Sequence, residues 1–305
     1  MPILRTGTKR GRRHSPIDNQ RGSALIITLL LVTVLVSLVV NFVYEVHIDT
    51  ASLSNWSNAQ RASFIARSGQ TLGSQYLDEI RDAAYSDERE LDLPVNASFG
   101  ANTELTIKIE DENAKFNINS IISERGETDE AALSALKKLL NYLNINPDLA
   151  LLLADWIDPD SEPRRPYSEG MTKDAFLLSP DELELVKGID QDTYEKIAPY
   201  LTVSEKFGRE ININTAEIPV LVSLHKDMTE TLAKRIVEYR EDSPFEDLSQ
   251  LESIVGMKIR TQIIGKATTK STDFRITSTA TVNEIPRVIE SIVDTSKTIH
   301  FWREG

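Results

Sequence analysis

The chain has 305 residues, enough for a membrane anchor and one or two soluble domains. It contains no cysteine, which excludes disulfides, thiolate metal sites and thiol catalysis. Its net charge of −13 disfavours nucleic acid and anionic lipid as partners of the whole chain, and favours cations such as calcium.

The first predicted element is a membrane-spanning helix over residues 23–44, a run of 22 residues without a charge. About 20 apolar residues cross the hydrocarbon core of a bilayer as a helix. Residues 1–22 carry six basic residues and one acid. By the positive-inside rule they stay in the cytoplasm, and the remaining chain lies across the membrane.

The start of the chain has three interpretations. A cleaved secretory signal fits poorly, because the apolar run is longer than a signal core and no small-residue cleavage site follows it. A small-residue site does precede the run, at Gly22 and Ser23, where cleavage would release residues 1–22 as a basic leader. An uncleaved anchor is the third interpretation.

The helix is expected to continue beyond the membrane. Small and apolar residues recur at three- and four-residue spacing well past residue 44, which predicts one helix from about Ala24 to about Tyr85. The alternative is a membrane helix and a separate soluble helix, with a break near Asn55. Gly69 and Gly73 lie on the apolar face and would let a sheet approach the helix closely.

Strand patterns occur at both ends of the remaining chain. Residues 91–100 have the composition of a loop, whereas Glu104–Glu110 and Lys115–Asn119 alternate and predict a hairpin that turns through residues 111–113. Three segments near the C-terminus alternate in the same way: Phe274–Val282, Arg287–Asp294 and Lys297–Trp302.

The middle of the chain, from about Ser120 to about Thr272, has the pattern of short helices. Thr128 is the expected N-cap of the first of them. The predicted helices are Thr128–Asn144, Pro147–Ile157, Asp181–Val186, Asp192–Tyr200, Thr215–Leu224, Thr229–Tyr239, Leu248–Ile254 and Ile259–Ile264.

These elements predict an α+β fold in which a long N-terminal transmembrane helix packs on a small antiparallel sheet. An all-α domain of short helices, similar to SAM or helix-hairpin-helix domains, is inserted between the strands. The predicted segments are a leader (1–22), a membrane helix (23–44), a soluble helix with the first strands (45–119), the helical domain (120–272) and the last strands (273–305).

Residues 211–264 also resemble a tandem helix-hairpin-helix module, which would make the chain an anchored receptor for DNA or another polymer. Such modules use a Gly-x-Gly turn to bring backbone N–H groups to a phosphate. Residues 225–228 contain no glycine and one acid, and residues 255–258 contain a single glycine. The missing turns and the acidic total disfavour DNA, although four basic residues could form a small patch: Lys258, Arg260, Lys266 and Lys270.

Several short sequence motifs, which occur in a fixed order along the chain, resemble those of one protein family. Gly22 is followed by SALIITLLLV, and later come DENAKFNIN (111–119), LLLADWIDPD (151–160), IAPYLTV (197–203) and ININTAEIPVL (211–221). The ordered set resembles the minor pseudopilin K of type II secretion systems. Most pilins carry Glu at the fifth position of the mature chain. Counted from Ser23, that position is Ile27 in this chain, and the K subunit likewise lacks Glu there.

The resemblance implies a structural subunit rather than an enzyme. Such a subunit lies at the tip of the pseudopilus together with the I and J pseudopilins. It is anchored in the inner membrane, where it meets the secretion platform, and most of its chain lies in the periplasm. Prepilin peptidase would cleave after Gly22 and leave Ser23, N-methylated, as the first residue. No His-x-x-x-His, Gly-x-Ser-x-Gly or Gly-rich phosphate motif offers a catalytic alternative.

The segment with the clearest pattern of a candidate metal site contains four acidic residues, Asp155, Asp158, Asp160 and Glu162. Asp155 and Asp158 share one face of a helix end, and the other two lie on a loop that proline stiffens. Calcium binds six to eight hard oxygens, which such a loop supplies, and the resemblance implies calcium near these residues. The alternative is that these acids cap a helix and face solvent.

Overall fold

The computed structural model describes residues 17–82, 90–93, 99–159, 162–164, 172–204 and 210–305. The chain divides into two compact units, residues 1–58 and 59–305. In the first unit the described residues form one helix, whose apolar side chains between Leu25 and Tyr44 are exposed. A helix that is apolar all round and unpacked is typical of a membrane span.

Helix α1 begins at Ile17 and ends at Asp82 without interruption. The predicted single helix is confirmed, and the alternative with a break near Asn55 is wrong. The other helices are α2 (Glu130–Tyr142), α3 (Leu149–Ile157), α4 (Gln191–Ile197), α5 (Ile218–Ser223), α6 (Glu230–Asp242) and α7 (Glu252–Ile263), the last with a kink at Gly256.

The strands are short except in one sheet. In chain order they are β1 (Glu90–Leu93), β2 (Thr103–Asp111), β3 (Phe116–Asn117), β4 (Leu201–Thr202), β5 (Ile211–Asn212), β6 (Ala267–Thr268), β7 (Asp273–Val282), β8 (Ile285–Asp294) and β9 (Ile299–Glu304). The main sheet is antiparallel with the order β1-β2-β7-β8-β9, whereas β3 pairs with β4 and β5 with β6 as short parallel ladders.

The part of α1 in the second unit packs on one face of this sheet. Its buried residues include Ala62, Ala66 and Leu77, and they contact apolar side chains of β2, β7 and β8 in two small clusters. Gly69 and Gly73 lie directly over the strands, since a Cβ at Gly73 would stand 2.8 Å from Ile276 Cγ2. The predicted close approach of a sheet to these glycines is confirmed.

A separate and larger apolar core lies between β2 and β7 in the sequence. Its buried members all fall within residues 116–267, and α2, α3 and α5 each contribute several large side chains. The amphipathic pattern of α2 accounts for its place, because Leu133, Leu136 and Leu140 recur at three- and four-residue spacing and are buried.

Residues 116–268 contain the same local motif twice. Phe116–Ser120 reads FNINS and Ile211–Thr215 reads ININT, and each begins with one of the short parallel strands. Each copy continues through helices to a 3₁₀ turn with a capping box, Pro180–Leu185 or Leu248–Leu251. In both copies a glycine with positive φ follows nine residues after the N-cap of that turn, at Gly188 and Gly256.

Three details of the predicted elements are wrong. Residues 115–119 do not form a hairpin with 104–110, because a 3₁₀ turn at Glu112–Ala114 takes the chain out of the sheet and β3 pairs with β4 instead. The predicted loop 91–100 begins inside β1, which pairs with β2. Asp129 rather than Thr128 caps α2, because its carboxylate accepts the N–H groups of Ala131 and Ala132.

The three C-terminal strands are confirmed as β7, β8 and β9, and alternate side chains of β7 and β8 face α1. The pilin-like character of the helix and sheet, and the domain limits at residues 45, 120 and 272, stay predictions.

Candidate functional site

The membrane helix carries the predicted processing site. Gly22 and Ser23 lie inside α1, exposed, five and six residues after its start at Ile17. Ile27 is exposed one turn later. Residues 1–16 of the predicted leader lie outside the described residues. In the described part of the chain, one helix is long and apolar enough to cross a membrane.

The structure brings two of the four predicted calcium ligands together. Asp155 near the end of α3 and Asp158 just after it are both fully buried. Both accept hydrogen bonds from Nη1 of Arg164, at 2.7 Å for Asp155 Oδ1. The backbone N–H of Arg164 donates to Asp155 Oδ2 at 3.0 Å, and its Nη2 donates to Thr128 Oγ1 at 2.6 Å.

The guanidinium of Arg164 thus stands where a cation between these two carboxylates would stand. Burial lowers the pKa of Arg164, but the two carboxylates outweigh it and raise the pKa above its ordinary value. Glu162 is exposed, and Asp160 lies outside the described residues. Among the described residues, no group of three or more His, Cys, Asp or Glu side chains lies close enough to hold a metal ion. The arrangement as it stands therefore does not fit calcium, and solvent-exposed capping is also wrong for Asp155 and Asp158.

In the helix-hairpin-helix interpretation, residues 225–228 and 255–258 would be the turns that bind a phosphate. Side chains of the protein itself bind to residues of these turns. Nζ of Lys138 donates to the carbonyls of His225 and Met228, both at 2.6 Å. The ammonium group of Lys138 therefore binds the backbone of the first turn, residues 225–228. The N–H of Asp227 donates to Nδ1 of His225 at 3.0 Å. In the second turn, Lys258 forms an ion pair with Asp227 at 2.9 Å. Within the described residues, the first turn therefore presents an acid and a carbonyl-bound lysine rather than open N–H groups.

A buried polar cluster that the sequence analysis did not predict lies where the chain leaves and re-enters the main sheet. Asp111, at the end of β2, accepts hydrogen bonds from the hydroxyls of Thr215 and Ser271 and from Nδ2 of Asn212. Its other oxygen accepts the N–H of Asn113 at 2.8 Å. Burial raises the pKa of Asp111, although these hydrogen bonds oppose the rise.

Next to Asp111, the side chains of Asn113 and Glu112 form hydrogen bonds and ion pairs with segments that are distant in sequence. Oδ1 of Asn113 accepts the N–H groups of Thr272 and Asp273, both at 3.0 Å. The fully buried carboxylate of Glu112 pairs with Lys115 at 2.8 Å and with Arg275 at 2.7 Å. Burial would raise the pKa of Glu112, but these two cations hold it well below its usual range.

The repeated Asn motif gives each of its copies the same hydrogen bonds. Asn119 is bonded to both the N–H and the carbonyl of Leu177, at 3.0 and 2.9 Å. Asn214 is bonded in the same way to Phe245, at 2.8 and 2.9 Å. The signal that could have revealed this was the repetition of Asn-Ile-Asn at 117–119 and 212–214.

Two family models describing protein K of the type II secretion system match this chain, over residues 114–206 and 211–268. Each match contains one copy of the repeated motif. The chain belongs to the type II secretion system protein K family. As a member of that family it is a minor pseudopilin, a structural protein anchored in a membrane.

Relatives of this family extend the match along the chain. The type II secretion system protein K of Pectobacterium carotovorum subsp. carotovorum is 27% identical over 273 residues, which cover 77% of this chain and 80% of that protein. The protein K of Pseudomonas aeruginosa is 24% identical over 272 residues, with 78% and 79% covered.

A solved structure has the same fold. It is a chain of the crystal structure of the GspK–GspI–GspJ complex from the enterotoxigenic Escherichia coli type 2 secretion system. The TM-score is 0.65 at 19% identity, and the match covers 84% of this chain and 99% of that chain.

Proposed function

We propose that this protein K stands at the tip of a type II secretion pseudopilus and initiates or caps its assembly together with I- and J-type minor pseudopilins. The chain that shares its fold belongs to a complex of K, I and J subunits, which supports these partners. The observation that carries the proposal is the exposed apolar helix with Ile27 at the fifth position after Gly22.

The physical reason lies in the charge at that position. In a pilus, Glu at position five neutralises the N-terminal amine of the subunit ahead, an interaction that is strong in a low-dielectric environment. A subunit at the tip has no subunit ahead of it, so a Glu there would be a buried charge without a partner. Ile27 avoids that cost, whereas the amine of Ser23 remains for the subunit behind.

The same proposal covers architecture and location. The helix and sheet of the second unit form a pilin-like body, and the domain predicted at residues 120–272, inserted between the neighbouring strands β2 and β7, is bulky enough to prevent further stacking. The anchor lies in the bacterial inner membrane with the bulk of the chain in the periplasm, where it meets the secretion platform. Prepilin peptidase removes residues 1–22, and Ser23 is then methylated.

Two measurements test this function. Mass spectrometry of the full-length protein extracted from a host with a prepilin peptidase should find Ser23 as the first residue, and an intact leader would contradict the pilin assignment. In a secretion-competent host that lacks its own K subunit, Ile27→Glu should reduce export of the secreted proteins, whereas Ile27→Val should not. Equal export by the two variants would contradict the tip position.

Calcium at Asp155, Asp158, Asp160 and Glu162 remains a proposal that rests on the resemblance, and it requires Arg164 to give up its two carboxylates. An ion that binds only the folded state stabilises it, by about 2.7 kcal/mol in the free energy of unfolding at a hundredfold excess over Kd. Calcium should then raise the melting temperature of the protein in detergent. Asp158→Asn should remove that gain. Identical melting curves with calcium and with chelator would leave Arg164 as the cation of this loop.

A further inference from the structure

The main sheet and the helical body, defined here as residues 116–267, share no apolar core. The two clusters beneath α1 contain residues of α1, β2, β7 and β8, whereas the third cluster lies wholly within the helical body. Among the described residues, no side chain belongs both to a cluster beneath α1 and to the cluster of the helical body, and the buried Ile292 of β8 belongs to none of the three. Since apolar burial is the main force that fixes two bodies to each other, something else must hold these two together.

The covalent connections between them lie side by side. The chain leaves the sheet after Asp111 and returns at Asp273, and in the register of β2 and β7 Asp111 is opposite Phe274. Two adjacent strand ends restrict translation but leave rotation about their common edge. A few residues at the ends of elements, which absorb changes in φ and ψ, are the usual form of a hinge.

Polar groups supply the remaining contacts at this edge. Thr215 and Ser271 donate their hydroxyl protons to Asp111, and Nδ2 of Asn113 donates to the carbonyl of Glu210 at 3.0 Å. On the neighbouring side, Thr202 of β4 donates to the buried carboxylate of Glu112.

A second set of polar contacts lies farther from the hinge edge. Arg303 on β9 pairs with Asp181 of the helical segment and with Glu290 of β8, the latter at 2.6 Å. Tyr194 of α4 donates to the same Asp181 at 2.8 Å. Glu290 in turn pairs with Arg275, so a chain of charges runs from the exposed edge strand to the buried Glu112.

We propose that these contacts form a latch, and that the helical body and the sheet open about residues 111–113 and 271–273 as two bodies that each stay folded. Geometry-dependent hydrogen bonds and ion pairs define one closed orientation, but they lose their energy abruptly once the groups separate and water replaces the partners. An apolar interface would instead tolerate sliding. The latch gives the pseudopilin a second arrangement of its bulky body, in addition to the role proposed for its membrane helix.

The absence of cysteine from the chain allows a direct test on the full-length protein in detergent micelles. Spin labels on Thr106→Cys of β2 and Ser134→Cys of α2, both exposed positions, report the distance between the two bodies by pulsed electron resonance. Labels on Ser134→Cys and Glu238→Cys lie within the helical body and serve as the internal control. The wild-type latch should give one narrow distance for each pair.

Opening the latch should change only the first distance. Arg303→Gln, and separately Thr215→Val, should each raise the share of a second, longer distance between positions 106 and 134 about tenfold, as expected when hydrogen bonds to charged groups are lost. The control variant Leu139→Ala, in the helical core, should lower the melting temperature without that second distance. An unchanged distance in both latch variants, or broadening of the 134–238 control as well, would overturn the hinge.

Discussion

Asn119 and Asn214 show how single side chains fix the long connections of this protein. Each amide closes a pair of hydrogen bonds with the backbone of one residue, Leu177 or Phe245, that lies 58 or 31 positions later in the chain. Both side chains are almost completely buried. A buried backbone N–H and carbonyl need partners wherever no regular ladder supplies them, so these two residues act as substitutes for strand pairing.

Replacing either asparagine should therefore destabilise the protein more than its size suggests. Asn119→Ala or Asn214→Ala leaves a buried donor and acceptor unpaired, which costs about 1–3 kcal/mol in the free energy of unfolding. The exposed Gln191→Ala, which removes only a bond to Glu195, should cost less than about 0.5 kcal/mol. Urea unfolding in detergent, followed by tryptophan fluorescence, measures both, and equal costs would contradict the role of the amides.

The buried pair of Glu112 and Arg275 makes a prediction about pH. Because the folded-state pKa of Glu112 is depressed, its contribution to stability is present above its unfolded pKa of about 4.3 and is lost as the pH falls through the folded pKa. Arg275→Met removes a main cause of the depression, raises that pKa and leaves Lys115 as the remaining cation paired with the buried carboxylate. The variant should lose about 3 kcal/mol at pH 7.5.

That loss should shrink toward pH 4, where Glu112 of the variant takes up a proton while Glu112 of the wild type does not. Denaturant titrations of both proteins at the two pH values give the comparison. Arg287→Met on β8 is the matched control, because Arg287 bonds only to the carbonyl of its neighbour Pro286 among the hydrogen bonds described for it. A loss that stays constant between the two pH values would show that Glu112 is not the group relieved.

At the scale of elements, the contact of α1 with the main sheet depends on its glycines. A Cβ at Gly69 would overlap Ser278 Oγ and stand 2.9 Å from Leu105, so a branched side chain there must push the helix away from β2 and β7. Gly69→Val should lower the free energy of unfolding by about 1–3 kcal/mol.

Ser68→Val, one residue earlier on the exposed side of α1, is the control for that substitution, since it has the same β-branched helix penalty without the overlap. Thermal unfolding of the two variants in detergent separates packing from propensity. Similar melting temperatures would mean that the sheet can yield at this position.

The sequence predicts those elements whose pattern is local. The period of α1, the amphipathic face of α2 and the alternation of β7 and β8 are each complete within one segment, and all were predicted correctly. The predicted hairpin over residues 104–119 is wrong because the turn at Asp111, Glu112 and Asn113 leads the chain out of the sheet instead of back along β2. Their side chains instead bind partners about 100 to 160 positions away, and no local pattern contains that information.

The candidate metal site follows the same rule. Helical spacing correctly places Asp155 and Asp158 on one face, but their burial and their pairing with Arg164 depend on how the loop after α3 folds back. The processing site predicted at Gly22 and Ser23 rests only on a local motif beside an apolar run, and it stays a prediction.

The distribution of charge over the whole molecule favours a partner protein over a nucleic acid. The net charge is −13, and two of the four basic residues of the predicted patch form ion pairs within the chain. Lys258 is paired with Asp227, and Arg260 with Glu252 at 3.2 Å. A protein that binds DNA needs several cations free to displace counterions from the phosphates.

Full-length protein in detergent should therefore not bind a fluorescent DNA duplex at micromolar concentration, even at about 50 mM salt, where phosphate contacts are strongest. Anisotropy titrations measure this, with a synthetic peptide of residues 1–22 as the control for the basic leader. If DNA did bind through the second hairpin turn, Lys258→Ala would weaken the complex and reduce its salt dependence by about one counterion. Sub-micromolar binding that the leader peptide does not reproduce and that Lys258→Ala weakens would make this chain a nucleic-acid receptor, and its helical body would then need a function beyond pseudopilus assembly.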